Sequence, residues 1–193
     1  MQIALFGTSG DPPTIGHRAI LQWLSPKYDY VVVWVSHNPF KSHHAALEQR
    51  IEMMQLMITS LVQEQNVQLH PEISNPHTLV TLHHASQIWQ DAHFTLVIGA
   101  DIVSQMPSWY RVAELLTQVQ LLVIPRQGYT ISAAAIQILE DYGTKVNIAA
   151  LTVPTSSSTQ FRQKGEAANV IPAVANYIER ERLYTWQEAN PHP

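Results

Sequence analysis

Cysteine is absent from all 193 residues. That single lack excludes disulfides, thiolate metal sites and a cysteine nucleophile. Charge is sparse as well, at 13% of the chain against 46% apolar residues, as in an ordinary globular protein. Positive charge is the scarcer sign, with 11 Lys and Arg against 15 Asp and Glu, a net charge of −4. Such a chain lacks the clustered basic surface that binds nucleic acid or anionic membrane, so neither partner is expected. Long apolar runs are also missing. Met1 to Phe6 has no basic leader and is too short for a signal peptide. Val31 to Val35 and Leu121 to Ile124 are strand-sized, far below a membrane span. A cytoplasmic protein is therefore expected. Neither repeats nor low-complexity tracts are visible, so residues 1–186 are expected to form one domain, with 187–193 a frayed tail.

What is present is alternation. Ile3–Phe6, Tyr30–Val35, Val67–His70, Phe94–Ile98, Leu121–Ile124 and Val146–Leu151 have strand character. The first, second, fourth and fifth are nearly continuous Val, Ile, Leu and Phe, the pattern of strands covered on both faces. Between them Leu47, Ile51, Met54, Ile58 and Leu61 recur at helical spacing, and Ile131, Ala135, Ile138 and Tyr142 repeat the pattern. Strand and helix in turn, joined by right-handed crossovers, predict an α/β fold with a doubly wound, mainly parallel sheet. Such sheets take ligands beyond the carboxyl ends of their strands.

Three strand ends carry polar groups suited to phosphate. After the first strand comes Gly7-Thr8-Ser9-Gly10-Asp11-Pro12-Pro13-Thr14-Ile15-Gly16-His17, then a helical stretch from Arg18 to Leu24. Glycines and hydroxyls there suit a turn whose N–H groups approach an anion, with Gly7, Thr8, Ser9 and Gly16 as candidate contacts. Thr14 and His17 share one face beside the positive end of the helix dipole. Neither a Walker A loop nor a Gly-x-Gly-x-x-Gly turn is present. Ser156-Ser157-Ser158-Thr159-Gln160-Phe161-Arg162 opens a later helix, with Thr159 and Arg162 on one face, an Arg fork for phosphate or a plain capped helix. Lys41, in His37-Asn38-Pro39-Phe40-Lys41, is either a mobile phosphate-binding charge or a loop lysine. The adjacent pairs His43-His44 and His83-His84 lack the spacing of a helical metal site, and no protein metal centre is expected.

These segments carry a resemblance. Thr14-Ile15-Gly16-His17 resembles the (His/Thr)-x-Gly-His signature of the nucleotidyltransferase superfamily, and Ser157-Ser158-Thr159-Gln160-Phe161-Arg162 its Ser-Ser-Thr-x-x-Arg partner. Ile98-Gly99-Ala100-Asp101, with Pro107-Ser108-Trp109-Tyr110-Arg111, is similar to a block of the bacterial nicotinate-nucleotide adenylyltransferases. Ile124-Pro125-Arg126-Gln127-Gly128-Tyr129 resembles the stretch that follows it there, and Ile178 to Tyr184 the closing helix. Three departures stand out: Gly10 replaces an aromatic, Val80 replaces an acid, and Asn38-Pro39-Phe40-Lys41 is shortened.

The resemblance implies a Rossmann-like fold and transfer of adenylyl from ATP to nicotinate mononucleotide, giving deamido-NAD and pyrophosphate. It implies that His17, Thr14, Lys41 and Arg162 serve the reacting phosphates, with Ser157, Ser158 and Thr159. Gly99 and Asp101 would lie at the ATP ribose, while Thr78, Trp109, Tyr110 and Arg126 would meet the mononucleotide. Mg²⁺ would enter with ATP, held by phosphates and water. Rival readings are an adenylyltransferase for nicotinamide mononucleotide or pantetheine phosphate, and a non-catalytic nucleotide-binding regulator. Whether the protein forms a homo-oligomer stays open.

Overall fold

In the computed structural model, which describes residues 1–36, 42–153 and 158–184, alternating side chains of the inner strands divide between two cores. Strand β1 (Gln2–Thr8) sends Ala4 and Phe6 to one face and Ile3 and Leu5 to the other. Strand β2 (Tyr30–Val35) does likewise with Val31, Val33 and Val35 against Val32 and Trp34. Both faces are apolar because both are covered, which is why these runs are continuous in sequence. The remaining strands are β3 (Val67–Leu69), β4 (His93–Gly99), β5 (Gln120–Ile124) and β6 (Val146–Ile148). All pairings are parallel, in the order β3-β2-β1-β4-β5-β6.

Helices α1 (Ile15–Leu24) and α2 (Leu47–Thr59) bury Leu21, Leu24, Met53, Met54 and Met57 in the first core. The last two helices, α6 (Ser158–Lys164) and α7 (Pro172–Arg180), add Phe161, Val174 and Ile178 to it. The second core receives Leu79, Leu82 and Ala85 from α3 (Thr78–Ile88), and Leu115 and Leu116 from α4 (Val112–Gln118). Helix α5 (Ala133–Glu140) contributes Leu139. The chain order reverses between β1 and β4, so the loops leaving those two strands diverge and leave a crevice at their carboxyl ends.

Some sequence-based bounds need correction. Strand β6 stops at Ile148 rather than Leu151, because the Ala149 N–H to Val123 carbonyl bond at 2.9 Å is its last rung on β5. Helix α1 begins at Ile15, before Arg18, with Thr14 as its cap. In α5 the expected stripe is partly wrong. The Ser132 hydroxyl accepts from Ala135 N–H at 3.1 Å, and the turn it starts aims Leu139 and Ile136 inward. Ile138 is left 48% exposed. The expected tail at 187–193 lies outside the described residues.

Candidate functional site

Gly7 and Thr8 end strand β1, and Gly10 lies in the loop that leaves it. Gly7 stands where a Cβ would fall 2.3 Å from the Trp34 indole of the neighbouring strand, so its lack of a side chain makes room for a ring. Gly10 has φ of +54°, a left-handed turn that favours glycine over the aromatic of the resemblance.

Thr14 is wholly buried, and the chain starts α1 with His17 at the third helical position. The Thr14 N–H donates to His17 Nδ1 at 3.0 Å, and the Thr14 hydroxyl lies 3.0 Å from the same nitrogen. A backbone N–H can only donate, so Nδ1 is the acceptor and the imidazole proton sits on Nε2. That Nε2–H meets the Thr8 hydroxyl oxygen at 2.9 Å. Thr14 thus fixes the tautomer and the aim of His17. Burial, and secondly the positive charge of Arg126, hold the His17 pKa down to about 4. His17 is therefore a neutral donor at physiological pH.

This depression has a consequence for stability. The unfolded chain takes a proton at His17 near pH 6.5, the folded chain only near 4. Between those values the unfolded state holds more protons, so stability falls as pH drops through that window. Melting temperatures from pH 7.5 down to 4 should decline more steeply for the parent than for His17→Gln. Parallel curves would show that His17 ionises alike in both states.

Arg162 reaches the same turn from α6. Its Nη1 donates to the Asp11 carbonyl, and Nη2 to the Thr159 hydroxyl at 3.3 Å, as the shared helix face predicts. Ser158 donates to the Pro12 carbonyl at 2.8 Å. Helix α6 is thus tied to the β1 loop at two points. Lys41 and Ser157 lie outside the described residues.

At the end of β4, the Asp101 carboxylate fills the space a side chain on Gly99 would occupy, 2.4 Å from its Cβ position. Asp101 Oδ2 pairs with Arg126 Nη1 at 2.9 Å. Two residues expected to touch different substrates are thus joined in the ligand-free arrangement. The third group, Thr78, Trp109 and Tyr110, is brought together by a contact the sequence did not suggest. The rings of His77 and Tyr110 lie 4.5 Å apart, tilted by 31°, holding the start of α3 beside the Trp109–Tyr110 segment. Arg111 turns away, 56% exposed and paired with Glu114.

Sequence reasoning missed three residues that hold these loops. Asp11, Arg50 and Tyr184 are joined around the β1 turn. Arg50 is 1% exposed and donates to the carbonyls of Ser9 at 2.7 Å, Ser36 at 3.0 Å and Ala45 at 3.2 Å. Its signal was available, since Arg50 interrupts the apolar stripe of α2 between Leu47 and Met54 at helical spacing.

Comparison with known proteins gives the family. Residues 5–164 match the cytidylyltransferase-like family. A probable nicotinate-nucleotide adenylyltransferase of Synechocystis sp. is 39% identical, over 95% of this chain and 99% of its own. The chain belongs to the nicotinate-nucleotide adenylyltransferase family. A second member, from Caldicellulosiruptor bescii, is 29% identical over 95% of this chain and 99% of its own. The fold is shared with the Plasmodium falciparum nicotinic acid mononucleotide adenylyltransferase solved with NaAD, at a TM-score of 0.78 and 19% identity. That alignment covers 95% of this chain and 97% of the other. Family membership makes this chain a nucleotidyltransferase.

Proposed function

We propose that the protein joins ATP and nicotinate mononucleotide into deamido-NAD, releasing pyrophosphate. The mononucleotide phosphate attacks the α-phosphorus of ATP, one P–O bond forms, and the bond to the β-phosphate oxygen breaks. The nucleophile is already an anion, so no general base is required. Positioning and charge stabilisation then carry the catalysis. The observation that carries this reading is His17, locked as an Nε2–H donor at a helix start with Arg162 fixed on the same turn.

In this account His17 exchanges its Thr8 contact for an oxygen of the reacting phosphate. Arg162, Ser158 and Thr159 take the triphosphate with Lys41 and Ser157. Ribose hydroxyls compete for Asp101 and a phosphate for Arg126, so substrate binding divides that pair. Trp109 stacks on the pyridine, and the N–H groups of Thr78 and Tyr110 meet its carboxylate. Mg²⁺ enters as part of the ATP substrate. Both Asp11 oxygens accept N–H or O–H donors and Asp101 is paired to Arg126, which favours phosphate oxygens and water as its ligands. Among the described residues no helix is long and apolar enough to cross a membrane, and the water-soluble substrates fit a cytoplasmic reaction.

Pyrophosphate release tests the proposal, with ATP and each of three acceptors in turn: nicotinate mononucleotide, nicotinamide mononucleotide and pantetheine phosphate. Release is expected with the nicotinate form, together with a product of deamido-NAD mass. Release with pantetheine phosphate alone would replace the pyridine reading.

A further inference from the structure

The Asp11 carboxylate is 3% exposed and sits in the turn that leads from β1 to α1 and His17. Its Oδ2 accepts His44 N–H at 2.8 Å, and its Oδ1 accepts Ala45 N–H at 3.2 Å. The Tyr184 hydroxyl donates to the same Oδ1 at 2.5 Å, from 173 residues further along the chain. His43 Nδ1 and Arg162 Nη1 each lie 4.0 Å from Oδ2. The carbonyl of the same residue accepts Arg162 Nη1.

Tyr184 touches this arrangement twice. Its hydroxyl holds the turn on which Arg162 rests. Its ring meets Phe161 edge-on, at 6.0 Å and 89°, one residue before Arg162 on α6. The segment that presents Tyr184 is itself pinned, because Leu183 N–H donates to the Ile178 carbonyl at the end of α7 at 3.0 Å.

We propose that Asp11 and Tyr184 are positioning residues for Arg162, so that the chain following α7 sets the guanidinium that receives the ATP phosphates. This rests on the reading of Arg162 given above. The chemistry suits the task. A phenol satisfies the buried carboxylate without adding to the positive charges of Arg50 and Arg162, so the attraction of Asp11 for Arg162 is not diluted further. Burial, and then the Asp11 hydrogen bond and charge, push the Tyr184 pKa upward, so the hydroxyl stays a donor into alkaline solution.

Tyr184→Phe keeps the ring on Phe161 and deletes only the hydroxyl. In the full chain it should raise both the calorimetric Kd and the KM for ATP about tenfold, the size of one hydrogen bond to a charged group. KM for the mononucleotide should stay within about twofold of the parent. In an Arg162→Lys background the same change should cost less than about twofold, because the group it positions is already lost. A purely structural hydroxyl would lower the melting temperature and leave the KM for ATP unmoved. That result, or equal factors in both backgrounds, overturns the proposal. If Tyr184→Phe does not accumulate as folded protein, Asp11→Asn is read by the same measurements and criteria. A parent that binds ATP but transfers to no mononucleotide would end the proposed function and leave this inference to calorimetry alone.

Discussion

His17→Ala should lower kcat on the order of a hundredfold or more while the calorimetric Kd for ATP changes only a few-fold. The asymmetry follows from geometry. The Nε2–H has a partner in the Thr8 hydroxyl at 2.9 Å, so binding ground-state phosphate replaces one acceptor with another and gains only the difference between them. As the α-phosphorus transfers, charge builds on its oxygens and the same donor becomes worth more. The donor is also held in advance, because the buried Thr14 contacts Nδ1 through both its N–H and its hydroxyl. Alanine removes the donor and the partner of the Thr14 N–H together, so some loss of stability accompanies the loss of rate. His17→Asn separates the two, since its amide oxygen falls near the position of Nδ1 and can accept from Thr14, whereas the side chain is too short to place a donor at the position of Nε2. Its stability should approach the parent's and its turnover should not. Normal turnover in either variant would place the reacting phosphate elsewhere.

Arg50→Met should destabilise the fold by roughly 3 kcal/mol, more than any substitution on the exposed helix faces. Methionine fills similar volume, so the loss is not mainly a cavity. It is the stranding of three carbonyls, Ser9, Ser36 and Ala45, that Arg50 now satisfies from inside the protein. Each orphaned acceptor costs on the order of 1–3 kcal/mol when water cannot reach it. Removing the desolvation cost of the buried cation, which pulls the Arg50 pKa down, offsets part of this. For a chain of this length the net effect corresponds to a fall of roughly 10 °C in melting temperature. Urea unfolding of parent and variant measures it. Equal midpoints would mean that those carbonyls find water, and that the loops after β1 and β2 are not held by Arg50.

The comparison of sequence and structure divides along a physical line. The four inner strands were legible because burial on both faces leaves only apolar residues, a signal that needs no partner to be read. Thr14, His17, Thr159 and Arg162 were legible because helical spacing alone puts each pair on one face, and both pairs are in contact. In the α5 region Ile131, Ala135 and Tyr142 pack on the second core as their spacing predicts, but Ile138 is 48% exposed and Leu139 is buried instead. Contacts between distant segments were not legible at all. Nothing local to Asp11 announces Tyr184, and nothing local to His77 announces the ring of Tyr110. The Asp101–Arg126 pair is of the same kind, since neither β4 nor β5 alone encodes the other's loop.

The acceptor decides the central claim. Nicotinate and nicotinamide mononucleotides differ by a carboxylate against an amide, and a selective pocket must offer donors without a competing acceptor. Arg111 does not supply the donor, because it faces outward and pairs with Glu114. The His77–Tyr110 contact holds two backbone segments together, and the proposed reading assigns the carboxylate to their N–H groups. Two amide donors to a charged acceptor are worth a few kcal/mol, or roughly a hundredfold in discrimination. The direct measurement is kcat/KM for the two mononucleotides under identical ATP and Mg²⁺. The account predicts a value roughly a hundredfold higher for the nicotinate form; equal values, or a preference for the amide, would contradict it.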